Sequence, residues 1–184
     1  MIIVIFGPSG SGKNKVAKIM EERFQSKKFV TDTTRPIRKG EVDGIDYNFL
    51  DIDSFMKNIK EDKYLEYVMY ANNFYGSKKE DYQKFIDNNE NTIIVMDIRG
   101  VKALKEYFSN NVLAIFLNVS KETLIKRMKI RGETDELIQE RLKYLEETRE
   151  DENIKFADFV LDNNGTVEEL KAQVNELMKE FEKK

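Results

Sequence analysis

Gly7-Pro8-Ser9-Gly10-Ser11-Gly12-Lys13 follows directly on the apolar run Ile2–Phe6 and leads into a helical pattern. A short unbroken apolar run is the signature of a strand buried on both faces. The glycines then let the backbone wrap a polyphosphate with its N–H groups, and Lys13 can reach the β and γ phosphates. Val16, Ile19, Met20 and Phe24 fall on helical spacing, so the N-terminus of that helix points at the anion. A Gly/Ser-rich turn with no function does not explain a lysine placed where a helix begins. The stretch Gly7, Pro8, Ser9, Gly10, Ser11, Gly12, Lys13, Asn14 and Lys15 is therefore predicted to bind ATP. Asn14 stands where a Ser or Thr hydroxyl usually ligates Mg²⁺. An amide oxygen also ligates a hard cation, and Mg²⁺ keeps waters and phosphate oxygens as its other ligands. Lys15 is either a second phosphate contact or a solvated helix residue.

The whole chain limits the chemistry. Its 184 residues suit one principal core. With 31 basic against 34 acidic side chains, no nucleic-acid partner is expected. There is no cysteine, which removes disulfides, thiolate metal sites and thiol nucleophiles, and no histidine, which removes the commonest general base. Catalysis is left to Lys, Arg, carboxylates and an oxygen-bound metal, the means by which phosphoryl transfer works. The apolar N-terminal run is too short for a signal peptide or a membrane span, so the expected location is the cytoplasm, without membrane association.

Thr92–Met96, Val112–Asn118 and Phe159–Leu161 read as further buried strands. Between and after them lie helical patterns at about Val101–Phe108, Glu122–Met128 and Glu168–Phe181. This alternation predicts an α/β fold with a parallel central sheet, ligands lying at the carboxyl ends of the strands. The stretch from about residue 32 to 81 departs from that pattern. Turn residues Pro36, Gly40 and Gly44 are followed by aromatic-rich strands at Tyr47–Leu50 and Tyr64–Tyr70, an inserted small mixed unit with some antiparallel pairing. A charged helical segment occupies about 120–151, with Gly132 at a break. The division expected is a core of 1–31, 82–119 and 152–184, an insert of 32–81 and an appendage of 120–151.

The insert carries Thr33-Thr34-Arg35-Pro36-Ile37-Arg38-Lys39-Gly40-Glu41-Val42-Asp43-Gly44-Ile45-Asp46-Tyr47. Arg35 and Arg38 flank a proline-stiffened turn, where two guanidinium forks could grip a dianionic phosphate. By itself the stretch reads equally well as a solvated basic turn. It resembles, however, the GMP-binding region of guanylate kinases, whose pattern is close to T-T-R-x-P-R-x-G-E-x-x-G-x-D-Y. The likeness continues through Tyr64-Leu65-Glu66-Tyr67, Phe74-Tyr75-Gly76-Ser77, Arg127…Arg131-Gly132 and Glu140-Arg141-Leu142, and covers nearly the whole chain.

The resemblance implies a P-loop three-layer fold whose insert is a nucleoside monophosphate-binding unit and whose charged appendage is a helical lid. It implies transfer of the γ-phosphoryl of ATP to GMP, and to dGMP, with Mg²⁺, by a monomer or homodimer. GMP-binding residues carried over are Thr31, Arg35, Arg38, Glu41, Tyr47, Glu66, Tyr75, Ser77 and Asp97. Base chemistry agrees: guanine offers N1–H and N2–H₂ as donors, for which Glu66 is the acceptor, and O6 as an acceptor, which suits the Ser77 hydroxyl. Taken without the resemblance, Glu66 is a strand residue that could simply face solvent. Lys13, Arg35, Arg127, Arg131 and Arg141 are the expected catalytic cations, the last three as lid arginines. Pairing with Glu133, Glu136 or Glu140 is the alternative for them.

Two stretches depart from the family pattern. Where the family shows D-I-D-x-Q-G, this chain has Asp97-Ile98-Arg99-Gly100, two residues shorter. Asp97 remains, either to hold Mg²⁺-bound water or to cap a helix, while Arg99 puts a cation where the family has an acid. Asp162-Asn163-Asn164 matches the family's adenine-side N-D-D only loosely. Two other functions stay open in the sequence: a kinase of another nucleoside monophosphate, and a non-catalytic binding module of the same shape.

Overall fold

The computed structural model describes residues 1–23, 26–70, 72–130, 132–148 and 150–181. Its elements in chain order are β1 (Ile2–Phe6), α1 (Lys13–Glu21), β2 (Ser26–Lys28), β3 (Asp32–Thr33), β4 (Asn48–Phe49), α2 (Ile52–Lys60), β5 (Tyr64–Tyr70) and β6 (Asn73–Lys78). There follow α3 (Lys79–Asp87), β7 (Asn91–Val95), α4 (Ile98–Phe108), β8 (Val112–Asn118), α5 (Lys121–Ile130), α6 (Asp135–Thr148), β9 (Phe159–Asp162) and α7 (Val167–Phe181).

β1 is the centre of the molecule. It pairs in parallel with β7 on one side and β8 on the other, in a sheet ordered β2-β7-β1-β8-β9. Its five side chains are all buried. Because successive side chains leave a strand on opposite faces, Ile3 and Ile5 pack under α1 and α7, with Val16, Met20, Val174 and Leu177. Ile2, Val4 and Phe6 pack under α3 and α4, with Tyr82, Val101, Leu104 and Phe108. The unbroken apolar run is what a strand covered on both faces requires. Each such side chain contributes roughly 1.5–3 kcal/mol of burial.

The second sheet, ordered β4-β3-β6-β5, mixes a parallel β3–β4 pair with antiparallel pairs. Its strands come from residues 32–78. A third apolar cluster, Val119, Leu124, Met128, Ile138 and Leu142, fastens α5 to α6.

Several expected elements change length. The strand expected over Tyr47–Leu50 contracts to Asn48–Phe49, because only two residues meet β3. That expected over Thr92–Met96 starts and ends one residue earlier, at Asn91–Val95. β6 was not foreseen: Asn73, Gly76, Ser77 and Lys78 are poor strand formers, and pairing on both sides holds them extended. Phe24, expected on the first helix, lies outside the described residues.

A buried polar knot locks the second sheet. Asp32, 1% exposed, accepts the Tyr64 hydroxyl at 2.8 Å, the Asn48 amide at 2.8 Å and the Lys78 ammonium at 2.9 Å. These bonds tie β3, β4, β5 and β6 to one carboxylate. Removing one partner of a buried ion pair strands the other. Asp32→Ala is expected to lower stability by about 3–5 kcal/mol, read as a large drop in the thermal midpoint. A loss under 1 kcal/mol would show that Lys78 finds water.

Candidate active site

At the carboxyl end of β1 the backbone must turn sharply. Gly7 leaves the strand at φ 139°, and a Cβ there would lie 2.7 Å from the Leu117 carbonyl oxygen of the neighbouring β8. Only glycine passes. Gly10 and Gly12 also hold positive φ, and α1 starts immediately afterwards at Lys13. The Lys13 ammonium donates to the carbonyls of Gly7 at 2.8 Å and Pro8 at 2.9 Å, so it stands within the loop that precedes it. Ser11 is fully buried, and its hydroxyl makes no hydrogen bond among the described residues.

The back of the loop is clamped. The Ser11 carbonyl accepts Asn163 Nδ2 at 2.6 Å and Arg127 Nη1 at 3.1 Å. Arg127 Nη2 donates in turn to the Asn163 carbonyl at 2.7 Å. α5, the turn after β9 and the loop thus share one knot. Beside it lies a cavity of about 450 Å³ lined by Lys13, Asn14, Lys15, Arg127 and Asn163. Arg127, expected to serve as a lid arginine, is therefore engaged with the loop backbone. Asn163 was legible only as a loose family match.

Lys13 also lines a larger cleft of about 800 Å³, together with Gly7, Ser9, Glu66, Asp97 and Arg99. Glu66 reaches this cleft through a β-bulge. Tyr64 stands opposite Lys78, yet Glu66 stands opposite Ser77, so Leu65 is an extra residue in β5. In an unbroken ladder Glu66 would share the face of Tyr64, which packs on Phe55 of α2. The bulge turns it to the opposite face, beside the Ser77 hydroxyl. There it accepts no hydrogen bond from the described residues. Burial, reinforced by Asp97 and opposed by Arg99, pushes its carboxyl up to about 7.

Asp97 follows β7 and caps α4. Its Oδ1 accepts the amides of Arg99 at 2.9 Å and Gly100 at 3.2 Å. Its Oδ2 takes Arg99 Nε at 3.0 Å and Nη2 at 2.6 Å. Of the two sequence readings for Asp97, helix cap and holder of metal-bound water, this carboxylate is engaged as the first.

The arginine turn is built around Glu41. Its Oε1 accepts Arg35 Nη2 at 2.7 Å, and its Oε2 accepts the Arg38 amide at 2.7 Å. Arg35, 8% exposed, also donates to the Pro36 carbonyl and lies over the rings of Tyr47 and Phe49. Hydrogen bonds from Arg35 and the Arg38 amide hold Glu41 below the usual carboxylate range. Tyr75 meets Tyr47 edge-on at 6.0 Å. Arg38 is exposed. Ser77 is 2% exposed. Thr31 precedes β3, its carbonyl accepting the Asn48 amide at 3.0 Å, and it lines neither cavity.

Among the expected lid arginines, Arg141 on α6 pairs with Glu133 at 3.1 Å and donates to Ser9 Oγ of the loop at 3.4 Å. Arg131 lies outside the described residues. No group of three or more acidic, His or Cys side chains among the described residues is arranged to hold a metal. Among the described residues no helix is long and apolar enough to cross a membrane.

Residues 1–181 match the model of the guanylate kinase family. The chain is 40% identical over 144 residues to the guanylate kinase of Clostridium acetobutylicum, covering 78% of this chain and 69% of that protein. It is 35% identical over 178 residues to the guanylate kinase of Mycoplasma pneumoniae, covering 93% of this chain and 74% of that one. Among solved structures, the guanylate kinase of Anaplasma phagocytophilum superposes with a TM-score of 0.66 at 26% identity, covering 100% of this chain and 87% of that chain.

The clamp behind the loop has a direct test. Asn163→Ala removes one bond to Ser11 and is expected to weaken ATP binding about 3- to 10-fold, measured by calorimetry with a non-hydrolysable ATP analogue. Unchanged affinity would mean the loop holds its shape without the clamp.

Proposed function

The chain belongs to the guanylate kinase family, and from that premise we propose how its residues divide the transfer of the γ-phosphoryl group from ATP to GMP. The observation that carries the division is Glu66. It is a carboxylate that accepts no hydrogen bond from the described residues, turned by a bulge into the same cleft as Lys13. The N1–H and N2–H₂ of guanine are the donors it lacks, and the Ser77 hydroxyl opposite it donates to O6. Adenine offers an acceptor at N1, which this carboxylate repels. dGMP keeps the same base edge and is accepted as well.

ATP takes the loop Gly7–Lys15, its phosphates against the loop amides and Lys13, its nucleoside in the cavity beside Arg127 and Asn163. Arg35, held rigid by Glu41, and the exposed Arg38 take the acceptor phosphate together with the hydroxyls of Tyr47 and Tyr75. That cluster does not line the cleft, so the insert, residues 32–81, swings toward the loop to bring the acceptor into line. The segment 120–151 closes from the other side. Arg141, already within reach of Ser9, then faces the equatorial oxygens of the transferring group.

An oxygen of the acceptor phosphate attacks the γ phosphorus. The new P–O bond forms as the bond to the β–γ bridging oxygen breaks, and that oxygen leaves on ADP. The attacking oxygen is already anionic, so no side-chain base is required, consistent with a chain without histidine. Mg²⁺ fits the exposed amide of Asn14, in the first turn of α1 beside Lys13, with phosphate oxygens and water as its other ligands. Bound there it supplies positive charge to the β and γ phosphates.

ADP release measured over GMP, dGMP, AMP, UMP and CMP, with and without Mg²⁺, is expected to show metal-dependent turnover of GMP and dGMP only. Preference for AMP would overturn the role of Glu66, and ATP binding without any transfer would indicate a binding module. Glu66→Gln is expected to raise KM for GMP about 10- to 100-fold. The pH dependence has a definite sign. Above about pH 7 Glu66 is an anionic acceptor, and below it the proton it gains faces the donors of guanine. KM for GMP should therefore rise as pH falls from 8 to 6 in the native enzyme and rise less in Glu66→Gln, where only the acceptor phosphate gains a proton.

A further inference from the structure

The bulge at Leu65 decides which face Glu66 leaves by, but not where its carboxylate comes to rest. It rests on α4. Gly100, buried in the first turn of that helix, has Glu66 Oε2 so near that a Cβ added to it would stand 2.7 Å from the oxygen. The same Cβ would meet the terminal sulfur and methyl of Met96 at 2.9 Å. Both contacts are far ends of flexible side chains, so a methyl group here would change where the Glu66 carboxylate lies, while the strand that carries it stays paired.

Helix geometry gives no reason for glycine here. Gly100 has no positive φ, its amide is already capped by Asp97 at 3.2 Å, and alanine is the better helix former. What glycine supplies is a notch the size of one methyl group. Two devices thus meet on one side chain: an extra residue in β5 aims it, and a missing side chain in α4 receives it.

We propose that Gly100 is a positioning residue for the acceptor base, seating the Glu66 carboxylate in the cleft at the depth where it reads guanine. This rests on the role given to Glu66 above. A methyl group at Gly100 pushes the carboxylate outward, across the space the base edge must occupy. A displacement of about 1 Å at such a contact is enough to cost binding severely.

The test is a double-mutant cycle of Gly100→Ala and Glu66→Gln, read as KM for GMP, KM for ATP and thermal midpoint. Gly100→Ala is expected to raise KM for GMP roughly 10- to 100-fold, leave KM for ATP unchanged and not lower the midpoint in proportion. In the Glu66→Gln background the same substitution should add little, because the carboxylate it displaces is already gone. Met96→Val/Gly100→Ala, which removes the sulfur contact, should behave like Gly100→Ala and covers the case in which crowding at Met96 impairs folding. The inference is overturned by an unchanged KM for GMP in Gly100→Ala, or by full additivity with Glu66→Gln. Failure of the underlying reading looks different. Glu66→Gln alone would then leave KM for GMP unaltered, and the inference would go with it.

Discussion

Everything at the site depends on the parallel pairing of β1 between β7 and β8. In register Ile5 faces Val95 on one side and Ile115 on the other, so β1 and β7 end within a residue of one another while β8 runs on to Asn118. The loop that leaves β1 and the helix turn that leaves β7 therefore open into one crevice. Lys13 and Asp97 are far apart in sequence but neighbours because two buried strands were cut to the same length. The burial that fixes this alignment is two-sided, and little slippage is possible when each residue of β1 has a place on one face or the other.

The second sheet solves a harder problem. It must present a charged side chain to the crevice while its other face packs on α2. A regular strand cannot send Tyr64 to Phe55 and Glu66 to the cleft, since the two positions share a face. One extra residue at Leu65 breaks the parity. The Asp32 knot then keeps the four strands from relaxing it, by joining the rung that carries Tyr64 and Lys78 to β3 and β4. Buried polar groups in this sheet thus serve the placement of one carboxylate on its opposite face.

Much of this was legible in the sequence, and unevenly so for physical reasons. β1, β5 and β8 match their expected bounds because long apolar or aromatic runs leave no competing reading. The phosphate loop was legible because its glycines, lysine and flanking strand are contiguous. β6 was not, since its residues are extended by partners and not by preference. The same limit applies inside the site. Glu66 could be named from its place in the family pattern, but its face depends on a bulge that single-strand alternation conceals. Asp97 offered two readings, and the amides of Arg99 and Gly100 that make it a helix cap come from the fold. Arg127 was named as a lid arginine from the family pattern, while its bonds to the carbonyls of Ser11 and of Asn163, the latter 36 residues away in sequence, are set by the fold.

The two nucleotide sites meet at Lys13, which lines both the cavity beside Arg127 and Asn163 and the cleft that holds Glu66. Calorimetry with adenosine and guanosine joined through a five-phosphate bridge tests it most directly. One molecule per protein chain is expected to bind, far more tightly than ATP or GMP alone, because joining the two makes the second contact intramolecular. Binding no tighter than ATP, or two molecules per chain, would mean that the two sites do not face one another.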